Sequence, residues 1–301
     1  MAASMRALEL QVPVTPPLGA TLMVPEPARA AALVIQGSGV HDRDGNMTAV
    51  GFQSTLYRRV ARELAQRCGL ATLRFDKRGH DKPPCYPHDY SMAQRLDDAR
   101  AALALLRGQL PGLPLFLIGH SEGALVAAKL AESEPVSGVI SLAAPFGNVF
   151  ELGKDRARRR IAQGQGAAVT KGEQQLAYFD KLEGLFKEGA KILPEDFVAM
   201  AKPYLHQGYE GWESFEWLAG HWAGALQSDP TAGGTPMLVV QGGRDARLWA
   251  DNAQRWQAWC QARKGADFRV IDHMGHDLND ARKKTFSVDE EVLQAICAWI
   301  K

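Results

Sequence analysis

The sequence predicts an α/β fold with a mostly parallel central sheet covered by helices on both faces. Two observations lead there. Short apolar runs at 31–35, 70–75, 115–118, 139–142 and 237–240 have the near-continuous hydrophobicity of strands buried on both faces. Segments with helical periodicity separate them, and strands that alternate with helices pair in parallel through helical crossovers. A third observation sets a boundary. The alternation lapses between residues 147 and 234, which reads as a helical insertion, leaving 1–146 and 235–301 as the core.

At the start, Leu8, Leu10, Val12 and Val14 alternate with Glu9, Gln11 and Pro13. This is a half-buried strand, placed near an edge by Pro13, which has no amide to donate. Pro16-Pro17-Leu18-Gly19 turns the chain into a second strand at 20–24, and Pro25-Glu26-Pro27 turns it into the strand at 31–35. Leu56, Val60 and Leu64 recur every fourth residue on a helix that Gly69 can close in a left-handed cap. After the strand at 70–75, Ser91 and Gln94 form a capping box for a helix carrying Leu96, Ala99, Leu103 and Leu106. The strand at 115–118 runs into Gly119-His120-Ser121-Glu122-Gly123 and then a small-residue helix from Ala124. The insertion is charged at first, Arg156 to Arg160, and then aromatic: Tyr204, Tyr209, Trp212, Phe215, Trp217 and Trp222. Its place in the chain predicts a lid over the carboxyl edge of the sheet, with the arginines on a solvated face. A helix with Trp249, Trp256 and Trp259 follows the strand at 237–240, and 268–271 is the last strand. Ser287, with Glu290 three residues on, is expected to cap a final helix presenting Val292, Leu293, Ile296, Trp299 and Ile300.

Composition narrows the function classes. At 301 residues, 46% hydrophobic and 23% charged, the chain has enough apolar material for one large globular domain. A net charge of +1 argues against nucleic acid as a partner. No apolar run reaches the length of a membrane span. The first ten residues lack the apolar centre of a secretory signal, and Cys68, Cys85, Cys260 and Cys297 form no Cys-x-x-Cys pair. These features predict reduced thiols and a cytoplasmic location.

Chemistry concentrates at Ser121. A Gly-x-Ser-x-Gly turn between strand and helix pushes the serine hydroxyl out at the edge of a sheet from a strained backbone position. The glycines are required because side chains there would collide with the neighbouring strand and helix. A serine hydroxyl attacks well only when a base takes its proton, and that base is usually a histidine oriented by a carboxylate. In the order Ser, acid, His, both remaining slots are filled. Asp245 follows the strand at 237–240 and His276 follows the strand at 268–271. Alone, Asp245 would pass for a turn or helix-cap aspartate. His273 competes with His276 but sits closer to the strand end, whereas Gly275 gives His276 a loop with freedom to reach back. A developing oxyanion needs donors. The Glu122 amide is one, and the Ser38 or Gly39 amide is the other, with Ser38 preferred.

The segment from Gln36 to Asn46 (QGSGVHDRDGN), Asp76-Lys77-Arg78-Gly79 and Gly119-His120-Ser121-Glu122-Gly123 together resemble the α/β-hydrolase superfamily. The Gly-Ser-Gly…Asp-Arg-Asp loop is similar to that of bacterial carboxylesterases related to the serine-aminopeptidase-like hydrolases. The resemblance spans most of the chain. It departs at Gln36, where relatives carry His, at Val40 in place of Pro, and at 78–83, where relatives carry Arg-Gly-x-Gly-x-Ser. It implies the α/β-hydrolase fold and a serine carboxylic-ester hydrolase acting on a small-molecule ester without a cofactor.

Rival readings use the same residues. An aminopeptidase or amidase would need an acidic residue from the insertion, such as Glu173, Glu183, Glu210, Glu213 or Glu216, to hold a substrate ammonium. A thioesterase or acyltransferase would use the same serine. A non-catalytic binding module on this fold is opposed by the intact Ser, Asp and His. His41, Asp42, Asp44, His80, Asp81, His88 and Asp89 lack metal-ligand spacing and read as loop hydrogen bonding, with Asp42, Arg43 and Asp44 bracing the loop that carries Ser38. Cys85 is given no role. The tryptophans from Trp212 onward fit either the wall of an acyl pocket or the packing of the insertion itself.

Overall fold

The computed structural model describes residues 4–48, 51–83, 86–204, 213–283 and 287–300. Tyr209, Glu210, Trp212 and Cys85 therefore lie outside the described residues.

Alternating strand and helix builds one eight-stranded sheet, in the order β1 (Ser4–Val12), β2 (Leu18–Glu26), β4 (Leu70–Phe75), β3 (Ala30–Ile35), β5 (Leu115–His120), β6 (Gly138–Leu142), β7 (Met237–Gly242), β8 (Ala266–Ile271). The first two strands pair antiparallel at one edge and β2 meets β4 antiparallel; every other pairing is parallel. Because β3, β4, β5 and β6 are covered on both faces, all of their residues are buried. Alternate residues feed two cores. Ala31, Leu33 and Ile35 pack with α2 (Met92–Gln109) and α3 (Glu122–Ala131). Ala32 and Val34 pack with α1 (Leu56–Cys68) and the final helix, α9 (Glu290–Trp299). Leu117, in the middle of β5, is 0% exposed, and burial of such a side chain contributes about 1.5–3 kcal/mol.

Most of the expected boundaries are present, and several carry the expected cause. Gly69 closes α1 at φ 66°, and Ser91 and Gln94 make the reciprocal capping box of α2. Two helix starts differ. α9 is capped by Asp289, whose carboxylate accepts from the Glu291 amide, so Ser287 lies two residues too early. The helix after β7, α8, spans Asn252–Gln261 and so excludes Trp249. A third departure concerns redox state. Cys68, at the end of α1, and Cys297, in α9, are joined in a disulfide with Cα atoms 5.5 Å apart, while Cys260 is free and buried. The expectation of reduced thiols fails for this pair because the packing of α1 on α9 brings together positions 229 residues apart, which no local spacing reveals.

Between β6 and β7 the described residues form helices α4 (Val149–Gln163), α5 (Ala167–Lys187), α6 (Pro194–Ala201) and α7 (Phe215–Trp222), with two short 3-10 turns and no strand. α4 and α5 are tied by Lys154, whose ammonium lies 2.5 Å from Glu183 and 2.9 Å from Asp180. Hydrogen bonds from Lys154 and then Lys187 lower the Glu183 pKa to about 2. A depressed carboxylate stabilises the fold above its unfolded value and loses that contribution as pH falls toward its folded value. The melting-temperature difference between the wild type and Glu183→Gln is therefore expected to shrink between about pH 4.5 and pH 2. Melting curves over that range test it, and a constant difference would contradict it.

Among the described residues, no helix is long and apolar enough to cross a membrane.

Candidate active site

β5 ends at His120 and α3 begins at Glu122, so the whole change of direction falls on Ser121. Its backbone takes φ 54° and ψ −124°, a conformation that L-residues rarely adopt, held in part by its amide donating to the Leu142 carbonyl at 2.8 Å. Both flanking glycines are sterically required. A Cβ on Gly119 would run into Ala124 and Gly123 of α3, and one on Gly123 would run into the Ile35 and Gln36 carbonyls at the end of β3.

Ser121, His276 and Asp245 meet in one line although 124 and more residues separate the serine from the others. The Ser121 hydroxyl lies 3.1 Å from His276 Nε2, and His276 Nδ1 lies 2.7 Å from Asp245 Oδ2. Their loops leave adjacent parallel strands: Asp245 follows β7 and His276 follows β8. The second Asp245 oxygen accepts the Arg247 amide, which fixes the carboxylate. His273 does not join them. Its Nε2 is 2.8 Å from Asp289, at the start of α9. In the loop that follows His276, Leu278 takes the left-handed region, at φ 56°.

Ser121 and His276 open onto a cavity of about 360 Å³ also lined by Ser38, Glu122, Val149 and Leu152. The loop carrying Ser38 is held by its carbonyls. Arg95 donates to Gln36 O at 2.7 Å, Lys77 to Gly37 O at 2.9 Å and His41 to Ser38 O at 2.8 Å. Burial, with Lys77 nearby, lowers the His41 pKa to about 4, so this imidazole is neutral near pH 7. The Gly37 amide is already engaged by Tyr57 Oη at 2.9 Å, which leaves the Ser38 and Gly39 amides. Beyond the cavity the loop is braced as expected. Asp42 accepts from the Asp44 and Asn46 amides, Arg43 pairs with Asp76, and Asp44 pairs with Arg74. Arg78 clasps Asp98 in a two-point bond.

Two sets of residues around Ser121 carried no sequence signal. Tyr57 and His120 form a directional chain. The Gly37 amide donates to Tyr57 Oη, the Tyr57 hydroxyl lies 3.1 Å from His120 Nδ1, and His120 Nε2 lies 2.8 Å from the His276 carbonyl. Burial, then the proximity of His276, lowers the His120 pKa to about 3. The neutral ring then donates from Nε2 and accepts from the tyrosine at Nδ1, tying the Ser38 loop to the His276 loop. The second set surrounds the Glu122 carboxylate, 1% exposed. It lies 3.7 Å from Lys77 and 3.6 Å from His221, and accepts from Trp217 Nε1 at 3.1 Å. Burial alone would raise its pKa, but Lys77 and His221 hold it well below the usual carboxylate range. Burial, with Arg95 adding to it, lowers Lys77 to about 7. Trp217 and His221 belong to α7, so the turn at Ser121 is anchored directly to the inserted helices. A buried side chain at position 122 facing a basic residue after β4 is a pairing that only the fold brings about.

Two of the tryptophans take different places. Trp217 lines a second cavity and holds Glu122, while Trp222 packs on Phe186 with ring centroids 5.6 Å apart. Of the acidic residues considered for an ammonium, Glu213 lines the cavity of Ser121, Glu183 is bound to Lys154 and Lys187, and Glu173 and Glu216 are exposed. His273, Asp280 and Asp289 lie close enough to share an ion, but the Asp280 carboxylate is already engaged by Arg282 and Lys283.

A family model described as "Alpha/beta hydrolase family" matches residues 33–288. Esterase EstD of Thermotoga maritima is 22% identical over 283 residues, covering 90% of this chain; the chain spans 61% of that relative's length. The Pyrococcus furiosus esterase Pf2001 superposes with a TM-score of 0.56 at 14% identity, covering 99% of this chain and 92% of the other. Est1E from Butyrivibrio proteoclasticus gives 0.57 at 17% identity, covering 97% of each chain. XC6422 from Xanthomonas campestris, described as an a/b serine hydrolase without lid, gives 0.51 at 16% identity, covering 98% of this chain and 95% of the other. At these identities the structural likeness is one of fold.

Proposed function

Since the chain belongs to the alpha/beta hydrolase family, we propose that it is a serine hydrolase that cleaves carboxylic esters through an acyl-enzyme intermediate. The observation that carries this reading is the line of hydrogen bonds from Asp245 through His276 to Ser121, 2.7 Å and 3.1 Å long. In this mechanism Ser121 Oγ attacks the ester carbonyl while His276 Nε2 takes the hydroxyl proton. Asp245 holds Nδ1–H and stabilises the imidazolium. Collapse of the tetrahedral intermediate breaks the bond to the alcohol, which leaves with the proton from His276. Water, deprotonated by the same imidazole, then releases the acid and regenerates the serine. The Ser38 and Glu122 amides are the proposed oxyanion donors. That role is supported by the Ser38 loop, whose three carbonyls at 36–38 are each bound by a side chain. No cofactor takes part in these steps.

Residues 147–234 act in this proposal as a lid that selects substrates, supported by Val149, Leu152 and Arg156 of α4 in the wall of the Ser121 cavity. The partner is a small-molecule ester, and nucleic acid is not among the proposed partners. A cytoplasmic location belongs to this proposal and requires Cys68 and Cys297 to be reduced in the cell, because cytosolic thiols are kept so.

Glu213 in the same wall is what an aminopeptidase would use to hold an ammonium, and Arg156, which lines the same cavity, opposes such a cation. The test is a panel of p-nitrophenyl esters of graded chain length beside aminoacyl p-nitroanilides. Turnover of esters with anilides at least about 100-fold slower is expected, a gap of about 2.7 kcal/mol in transition-state binding. Faster turnover of the anilides would replace the esterase by the amidase.

A further inference from the structure

We propose that the cavity of Ser121 adjoins a subsite for a carboxylate, so that the preferred esters carry a negative charge at an end remote from the scissile bond. The inference rests on the serine-hydrolase reading and names the substrate class of that site. A second cavity of about 200 Å³ lies under the inserted helices and shares Ser38, Val149, Arg156 and Glu213 with the cavity of Ser121. Arg156 therefore stands at the junction of the two.

The charge in the second chamber is mainly positive. Arg156 and Arg160 are four residues apart on α4, hence on one face, and Lys171 enters from α5. This corrects the expectation that Arg156 to Arg160 form a solvated face. Arg158 is exposed, but Arg156 and Arg160 turn to the cavity. Of the other cations of α4 besides Arg158, Lys154 is paired with Asp180 and Glu183, and Arg159 with Asp155. Arg156, Arg160 and Lys171 form no ion pair among the described residues, and Arg160 is bonded to the neutral Gln175. Arg156 Nε is buried with no hydrogen-bond partner among them. Against these three cations the described wall sets one carboxylate, Glu213.

Phe150, Tyr178, Phe179 and Trp217 add a large apolar wall to that chamber, beside the polar Ser38, Gln175 and His221. Low-dielectric walls around charges of one sign focus the field on a ligand of the other sign. A guanidinium also offers two parallel N–H groups that match a carboxylate in geometry. A ligand with a flexible apolar stem ending in a carboxylate satisfies both features, whereas a neutral acyl chain would leave the buried Arg156 Nε without a partner.

The test separates binding from catalysis. Binding of monomethyl glutarate is measured by titration calorimetry on Ser121→Ala, on Ser121→Ala with Arg156→Gln, and on Ser121→Ala with Arg158→Gln. The arginine at 156 is expected to account for about a 10- to 100-fold difference in Kd, the range of a hydrogen bond to a charged group. The Arg158 variant, which makes the same change in net charge, is expected to match the Ser121→Ala parent. Arg156→Lys, which keeps the charge and loses the planar pair, is expected to fall between. On the otherwise unaltered protein, kcat/KM for p-nitrophenyl hemiglutarate is compared with that for p-nitrophenyl valerate, and Arg156→Gln is expected to lower this ratio at least about tenfold. Binding that is indifferent to Arg156, or a ratio that Arg156→Gln and Arg158→Gln lower equally, would overturn the subsite. Ester turnover without charge preference would overturn the subsite and leave the hydrolase reading standing. Arg156-dependent binding in a protein that cleaves neither ester would support the subsite and defeat the hydrolase reading.

Discussion

His276→Ala is expected to lower kcat for ester hydrolysis by about 10⁴- to 10⁶-fold, the range seen when a base of this kind is removed. Among the described residues the imidazole is the one group bonded to both Ser121 Oγ and Asp245, so its loss removes proton transfer in both halves of the reaction. His273→Ala is the internal comparison. Its ring nitrogen is bound to Asp289, and its removal leaves the Ser121 line intact. A loss of about tenfold or less is expected, with a stability cost of about 1–3 kcal/mol from the partner left behind. Equal kcat values for His276→Ala and the wild type, together with an inactive His273→Ala, would reverse the assignment.

Lys77→Met is expected to have the largest effect on stability, about 3–5 kcal/mol, read from the midpoint of urea unfolding. Lys77 is 4% exposed and Glu122 1%, and the ammonium also donates to the Gly37 carbonyl. Removing the cation takes away the main charge that keeps the buried Glu122 carboxylate ionised, and it frees the loop that carries Ser38. The paired change Lys77→Met with Glu122→Gln removes the stranded charge and is expected to recover at least about half of the loss, since double replacement of a buried pair is far milder than breaking it. A single variant as stable as the wild type would show that Lys77 contributes no net pairing energy.

The parts of the fold legible from the sequence are those with local causes. Continuous apolar runs marked the buried strands, Gly69 marked a left-handed cap, and Ser91 with Gln94 marked a helix start. The turn at Ser121 was legible because its two glycines have no substitute: each stands where a Cβ would meet backbone. The order Ser, Asp, His could be read because each residue follows a strand of its own, and the parallel sheet brings those strand ends to one edge.

What escaped depends on contacts between distant positions. Tyr57 reaches His120 across 63 residues, Trp217 reaches Glu122 across 95, and Cys68 meets Cys297 across 229. Nothing in the neighbourhood of any one of these residues announces its partner. The inward turn of Arg156 was hidden for a related reason. A run of arginines reads as solvated until the packing of α4 on α5 decides which of them face inward. The left-handed residue of the loop after His276 is Leu278, a type that carries no such signal in sequence. Ser287 and Asp289 are both good caps, and which one serves depends on where α9 docks.

The claim that Ser121 forms the acyl bond is tested most directly by mass. Incubation of the full chain with a fluorophosphonate, followed by intact-mass measurement and peptide mapping, should show one adduct on the peptide containing Ser121. The Ser121→Ala protein should show no adduct and no ester turnover above about one part in 10⁴ of the wild type. An adduct on another serine, or undiminished labelling of Ser121→Ala, would contradict it.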